Sequence, residues 1–121
     1  MKKKILIVDD ESYLIDIHEQ IIKREGHDCV TAVNGRQAVD VAAAELPDLI
    51  LLDFSLPDMN ALEVARLIRQ NPQTQSTPII IVTGDTSLKQ KDECLDAGLN
   101  DYITKPFRPR EVAASIRKFL K

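Results

Sequence analysis

Strand-length apolar runs alternate with helix-length amphipathic segments along the whole chain. The runs lie near residues 4–9, 28–33, 49–53, 79–83 and 101–104, and the segments between them repeat apolar positions at helical spacing. This alternation predicts five βα units and a parallel sheet. Ile5, Leu6, Ile7 and Val8, residues 49–52 and residues 79–82 are apolar without alternation, so these strands should be buried on both faces, with helices above and below. The least apolar run, CVTAV, is expected at an edge. Right-handed crossovers then favour the strand order 2-1-3-4-5, a doubly wound three-layer α/β sandwich with a five-stranded parallel sheet.

The helices carry their own punctuation. The first, about residues 12–25, places Leu14, Ile15, Ile17, Ile21 and Ile22 on one stripe and should stop at Gly26 in a left-handed conformation. His18 lies within that stripe and reads as a partly buried, hydrogen-bonded packing residue more readily than as a phosphohistidine. The second helix should start at Asn34, with Gln37 completing a capping-box-like pair, and close at Pro47. The third covers 61–70, ahead of Asn71-Pro72. A fourth, about 87–97 with Gly98 behind it, offers only Leu88, Cys94, Leu95 and Ala97 as apolar anchors, which makes it the natural moving part. The fifth opens with Pro109 and should bury Val112, Ile116, Phe119 and Leu120.

Composition narrows the class without changing this picture. The 121 residues suit one domain, 1–121, and the 44% hydrophobic content includes no run near the roughly 20 residues of a membrane span. The apolar part of MKKKILIVDD is too short for a signal-peptide core and ends in acids, so a soluble cytoplasmic protein is expected. Sixteen basic against nineteen acidic residues leave a net charge of −3, which gives no reason to bind nucleic acid directly. Lys2, Lys3 and Lys4 form the only basic run and read as a solvated cap on the edge away from the acids, while Arg108, Arg110, Arg117, Lys118 and Lys121 read as a solvated face. Cys29 and Cys94 lack metal-ligand spacing and read as reduced packing residues.

Four of the five runs end on polar residues: Asp9 and Asp10, Asp53, Thr83 and Lys105. In a parallel sheet those ends share one edge, where open α/β sheets bind ligands at the point of strand-order reversal. Each acid alone would be read as a helix cap or turn former. Together, three carboxylates within about 5 Å repel by roughly 3 kcal/mol per ionised pair at an effective dielectric of 20. Either one stays protonated or a hard divalent cation binds, and oxygen ligands without His or thiolate point to Mg²⁺. Beside such a cation Asp53 could attack phosphorus, with Lys105 balancing phosphoryl charge and Thr83 donating a hydrogen bond.

These residues resemble the receiver (response regulator) domains of two-component signalling, typified by the bacterial chemotaxis receiver. VDDE at residues 8–11, PDLILLDFSLPDMNALE at 47–63, VTGD at 82–85 and AGLNDYITKPF at 97–107 carry the likeness over the whole chain. The resemblance implies a flavodoxin-like fold and phosphorylation of Asp53 by a histidine kinase or histidine phosphotransfer protein. It implies Mg²⁺ held by Asp10, Asp53 and the Ser55 backbone carbonyl, with Asp9 acting partly through water. It also implies a cis Lys105–Pro106 peptide, a Thr83–Tyr102 switch, slow self-dephosphorylation, and output to a downstream protein through the helix 4, strand 5, helix 5 face. A phosphorylation-dependent homodimer belongs to the same set of expectations. Such a protein is a switch with phosphoryl-transfer chemistry more than an enzyme, and a stand-alone regulator and a receiver within a longer protein both fit.

One departure stands out. The family usually has Asp-Gly where this chain has Asn60-Ala61, so a retained positive φ at Ala61 would store strain in the loop after Asp53. Gly84 is a small residue that leaves room for a phosphoryl group. Two other classes remain open: a phosphorylation-independent interaction module, and a flavodoxin-like cofactor carrier, which would want a Ser/Thr/Gly phosphate loop where this chain has acids.

Overall fold

The computed structural model describes residues 2–84, 96 and 98–120. In chain order they form β1 (Lys4–Val8), α1 (Ser12–Arg24), β2 (Asp28–Ala32), α2 (Gly35–Glu45), β3 (Leu49–Asp53), α3 (Ala61–Gln70), β4 (Ile79–Thr83), β5 (Asp101–Thr104) and a C-terminal helix (Pro109–Phe119). All strand pairs are parallel, in the order β2-β1-β3-β4-β5. This is the expected doubly wound sheet, with the least apolar strand at an edge. The predicted fourth helix, with Leu88, Cys94, Leu95 and Ala97, lies outside the described residues.

The period-two geometry of the strands splits the core in two. Leu6, Val8, Ile50, Leu52, Ile79 and Ile81 pack with Ala38, Ala42, Val64 and Ile68 of α2 and α3. The alternate residues Ile5, Ile7, Leu49, Leu51, Ile80 and Val82 pack with Ile15, Ile22, Val112 and Ile116 of α1 and the C-terminal helix. Both sheet faces are therefore dry, which is why β1, β3 and β4 carry no polar alternation. Phe119 and Leu120 are half-buried against the second cluster. Ile17 departs from expectation: at 38% exposure it lies at the margin of the α1 stripe.

Local chemistry sets the helix ends. Gly26 takes φ +85 after α1, with its amide donating to the Lys23 carbonyl and that of His27 to the Ile22 carbonyl. At α2 the Asn34 carboxamide accepts from the Gln37 amide (2.8 Å), while the Gln37 side chain accepts from the amide of Val33 (2.7 Å), one residue before the position a capping box uses. Asn60 caps α3 by accepting from the Glu63 amide (3.0 Å). Pro109 opens the C-terminal helix, and Glu111 accepts from the Arg108 amide (2.8 Å).

Two further expectations about individual residues fail. Ala61 is the first residue of α3 and does not have a positive φ; among the described residues only Leu46, at φ 48, is a non-glycine with one. Ala61 is fully buried, and its amide donates to the Phe54 carbonyl (3.2 Å). Residue 61 needs only helical geometry, and no strain is stored there. Ala61→Gly should therefore destabilise the protein by about 1 kcal/mol through lost helix propensity and added unfolded-state freedom. Urea denaturation checks this, and a variant more stable than the parent would contradict it. His18, the second case, is 2% exposed, but its Nδ1 has no hydrogen-bond partner. Its ring stacks on Phe107 instead, with centroids 5.0 Å apart and planes 20° from parallel.

Candidate functional site

The register brings the polar strand ends together. Asp53 pairs with Val82, Thr83 with Thr104, and Val8 with both Ala32 and Leu52, so β1, β3, β4 and β5 end along one edge. The ladders continue past the strands: the Asp9 amide donates to the Ala32 carbonyl (3.1 Å), that of Phe54 to Val82 (3.0 Å) and that of Lys105 to Thr83 (2.7 Å). Asp9, Asp53, Thr83 and Lys105 are thus held at the strand ends by backbone pairing.

Asp9, Asp10 and Asp53 each offer an oxygen, and these oxygens all lie within 4.8 Å of one another. Asp9 and Asp53 are buried, at 2% and 5% exposure, whereas Asp10 faces solvent. Asp9 also accepts from the Glu11 amide (3.0 Å). Lys105 Nζ donates to Asp53 Oδ1 at 2.9 Å, and the Lys105–Pro106 peptide is cis. Thr83 is buried at the end of β4. Strand alternation puts Thr83 and Tyr102 on the same sheet face: Thr83 follows Ile79 and Ile81, and Tyr102 packs against the cluster those residues belong to. Ser55, two residues after Asp53, is exposed, with its backbone bridged to Asn60.

The electrostatics show a shortage of positive charge. Burial pushes the Asp9 carboxyl up to about 6; the Glu11 amide opposes this, the charges of Asp53 and Asp10 add to it, and Lys105 opposes it. Asp53 is likewise raised, because burial outweighs the hydrogen bond and charge of Lys105. For Lys105, burial works against the ammonium, but Asp53, Asp9 and Glu11 more than compensate, and its pKa is raised. One ammonium among three carboxylates leaves the set under-neutralised. An all-oxygen donor set of this kind suits a hard divalent cation.

Every residue expected at the site lies on this edge or the loops leaving it, except Tyr102, which sits within β5. Asp58 was not singled out from the sequence. Both its oxygens accept from amides at the start of α2: Oδ1 from Gly35 (2.7 Å) and Oδ2 from Arg36 (2.9 Å). Those amides hold its carboxyl below the usual range. An acid in a loop beside another unit's helix start was the available signal, but the separation of more than twenty residues hid it. Cys29 is half-buried, and burial pushes its thiol up to about 11, consistent with an inert packing role. No helix among the described residues is long and apolar enough to cross a membrane.

Comparison with known proteins agrees with this geometry. The family model for the response regulator receiver domain matches residues 5–117. The alkaline phosphatase synthesis transcriptional regulatory protein PhoP of Bacillus subtilis is 40% identical over 121 residues, covering all of this chain and 50% of that protein. The chain thus spans about half the length of the curated relatives it matches. Chemotaxis protein CheY4 of Vibrio cholerae superposes with a TM-score of 0.94 at 28% identity, covering 99% of this chain and 100% of that one. The receiver domain of a sensor histidine kinase from Pseudomonas aeruginosa, solved with a magnesium ion coordinated in its active site cleft, gives a TM-score of 0.89 at 29% identity over 98% of both chains.

Proposed function

The chain belongs to the response regulator receiver domain family, and from that premise we propose that it is a phosphorylation-dependent switch whose Asp53 accepts a phosphoryl group from a phosphohistidine on a histidine kinase or phosphotransfer protein. The observation that carries this reading is the buried Asp53 carboxylate at 2.9 Å from Lys105, within the Asp9 and Asp10 cluster. A carboxylate oxygen of Asp53 forms the new bond to phosphorus as the phosphorus–nitrogen bond of the donor breaks, and the imidazole departs. Lys105 then balances charge on the phosphoryl oxygens, and the Thr83 hydroxyl donates to one of them.

Asp10, Asp53 and the Ser55 carbonyl would hold Mg²⁺, with Asp9 supporting it through water. The cation supplies positive charge to the phosphoryl oxygens as they gather on Asp53. The residues fit this role because they offer an all-oxygen set whose buried members, Asp9 and Asp53, are raised by burial and by neighbouring carboxylates that Lys105 alone does not offset.

Thr83 and Tyr102 share a sheet face, which supports a switch in which Thr83 moves toward the phosphoryl group and Tyr102 turns into the vacated space. A charge-assisted bond present only in the phosphorylated state supplies the bias. The output surface on this reading is the face of the predicted fourth helix, β5 and the C-terminal helix, read by a downstream protein or a second copy of the chain. The −3 net charge favours protein partners over nucleic acid for this segment. The domain is taken as residues 1–121, acting in the cytoplasm as a signalling component and hydrolysing its own acyl phosphate slowly.

Incubation with acetyl phosphate tests the reading. With Mg²⁺ the intact mass should rise by one phosphoryl group, mapped to the peptide containing Asp53, and chelation with EDTA should prevent the gain. No uptake with Mg²⁺ present would favour a phosphorylation-independent interaction module.

A further inference from the structure

The loop after Asp53 is fastened to a different βα unit. Asp58 places both carboxylate oxygens on the first two amides of α2, Gly35 (2.7 Å) and Arg36 (2.9 Å). The next two amides are already satisfied within the unit: Gln37 by the Asn34 side chain and Ala38 by the Asn34 carbonyl (3.0 Å). The amides of Gly35 to Ala38 are therefore all paired, the first two of them by one residue borrowed from the β3–α3 loop. The neighbouring side chain adds a steric register. Met59 lies where a Cβ on Gly35 would stand, and a side chain there would collide with Met59 Cγ and crowd Val64. Gly35 itself is buried, so that contact is enclosed.

The same loop is closed on its own side by the Ser55–Asn60 bridge, by the Ala61 amide on the Phe54 carbonyl, and by Asn60 capping α3. Residues 54–60 thus have two anchorages: the end of β3 with the start of α3, and the start of α2. The first follows from chain connectivity. Only the second ties the loop to the unit that follows β2.

We propose that Asp58, with Gly35 as its steric partner, is a positioning residue that holds the loop after Asp53 so that the Ser55 backbone stays placed for cation binding. The proposal rests on the reading of Ser55 as a Mg²⁺ ligand given above. Its energetic basis is a charge-assisted pair of hydrogen bonds reinforced by the helix dipole. Residues that orient ligands in this indirect way change metal affinity by roughly ten- to a hundredfold when lost.

The test uses the full chain and Mg²⁺ alone, followed through the amide NMR shifts of Phe54 and Ser55, with hydrogen exchange measured separately in EDTA. In Asp58→Ala, exchange at Gly35 and Arg36 should accelerate without metal, and the Mg²⁺ dissociation constant should rise about tenfold. Asp58→Asn keeps one acceptor oxygen and should fall between variant and parent. It also serves as the reporter if the alanine variant does not fold. Faster exchange at Gly35 with Mg²⁺ affinity within twofold of the parent would overturn the positioning role. Unchanged exchange would overturn the anchorage itself. A parent that shows no Mg²⁺ response would overturn the cation reading instead, so the two failures are distinguishable.

Discussion

Asp53→Asn is expected to abolish phosphoryl uptake from acetyl phosphate while making the metal-free protein more stable at neutral pH. The loss of uptake follows because the amide oxygen is too weak a nucleophile and, among the described residues, no second buried carboxylate makes an ion pair with Lys105. Among the described residues Asp53 alone makes that 2.9 Å contact. The gain in stability follows from the direction of its pKa. A carboxyl raised on folding contributes stability below its unfolded pKa and loses it as pH rises through the folded value. Asp53 is raised because burial outweighs Lys105, so its ionised form is a net cost at pH 7.5 without metal. An asparagine keeps an oxygen for the Lys105 ammonium and removes that charge.

Asp9 contributes in the same sense and on a scale that can be stated. Its carboxyl rises from 3.8 to about 6, which corresponds to about 3 kcal/mol of stability lost between those pH values. Mg²⁺ should reverse the order by stabilising the parent more than Asp53→Asn. Urea denaturation in EDTA and in Mg²⁺, with intact-mass labelling, reads both halves. A variant that takes up phosphoryl as the parent does, or that is less stable in EDTA, would refute the account.

His18→Phe is expected to remove a destabilisation by acid that the buried carboxyls Asp9 and Asp53 partly mask in the metal-free parent. Burial pulls the imidazole down from 6.5 to about 4, with the Lys105 charge adding to the effect. Between those values the unfolded chain takes up a proton that the native state refuses. Stability is therefore present above pH 6.5 and lost as pH falls toward 4, by about 3 kcal/mol. Asp9 has the opposite slope over nearly the same window, because its buried carboxyl gains a proton in the native state first. The two partly cancel in the metal-free parent, and Asp53 adds to the Asp9 side.

The histidine contribution is exposed by working in an Asp9→Asn background in EDTA. There, the stability advantage of His18→Phe should grow by about 3 kcal/mol from pH 7.5 to pH 4. At neutral pH the substitution should already help by about 1 kcal/mol, since it removes a buried nitrogen without a partner and keeps a ring on Phe107. A pH-independent difference between the two proteins would refute the lowered value, because it would mean that His18 takes up its proton as readily in the native state as in the unfolded chain.

Much of the site was legible because its positions follow from local regularities. Unbroken apolar runs identify strands buried on both faces, and the polar residue ending each run must then lie at the sheet edge. Asp9, Asp10, Asp53, Thr83 and Lys105 take their places at that edge from strand periodicity alone. The weak apolar character of CVTAV likewise put the second strand at the edge, where Asp28 and Thr31 of β2 are exposed. Helix boundaries at Gly26, Asn34, Ala61 and Pro109 were readable for the same reason: a cap or a φ preference belongs to a few adjacent residues.

What escaped the sequence depended on partners distant along the chain or on the exact path of a loop. Ile17 shares helical spacing with buried neighbours, yet the angle at which α1 meets the sheet leaves it 38% exposed. Leu46, not Ala61, takes the positive φ, because α2 ends where the chain must turn into Pro47 and α3 begins at residue 61 itself. His18 looked like a residue that would find a hydrogen bond, but packing against Phe107 left Nδ1 enclosed without one. Asp58 read as one more loop acid until the fold brought it to the amides of Gly35 and Arg36. Hydrophobic periodicity and capping act over a few residues, so the described elements, their order and the chemical groups at the sheet edge can be read along the chain. Which charges are desolvated, which amides are borrowed and which turn takes a positive φ depend instead on how the folded units pack, because those contacts join segments that the chain keeps far apart.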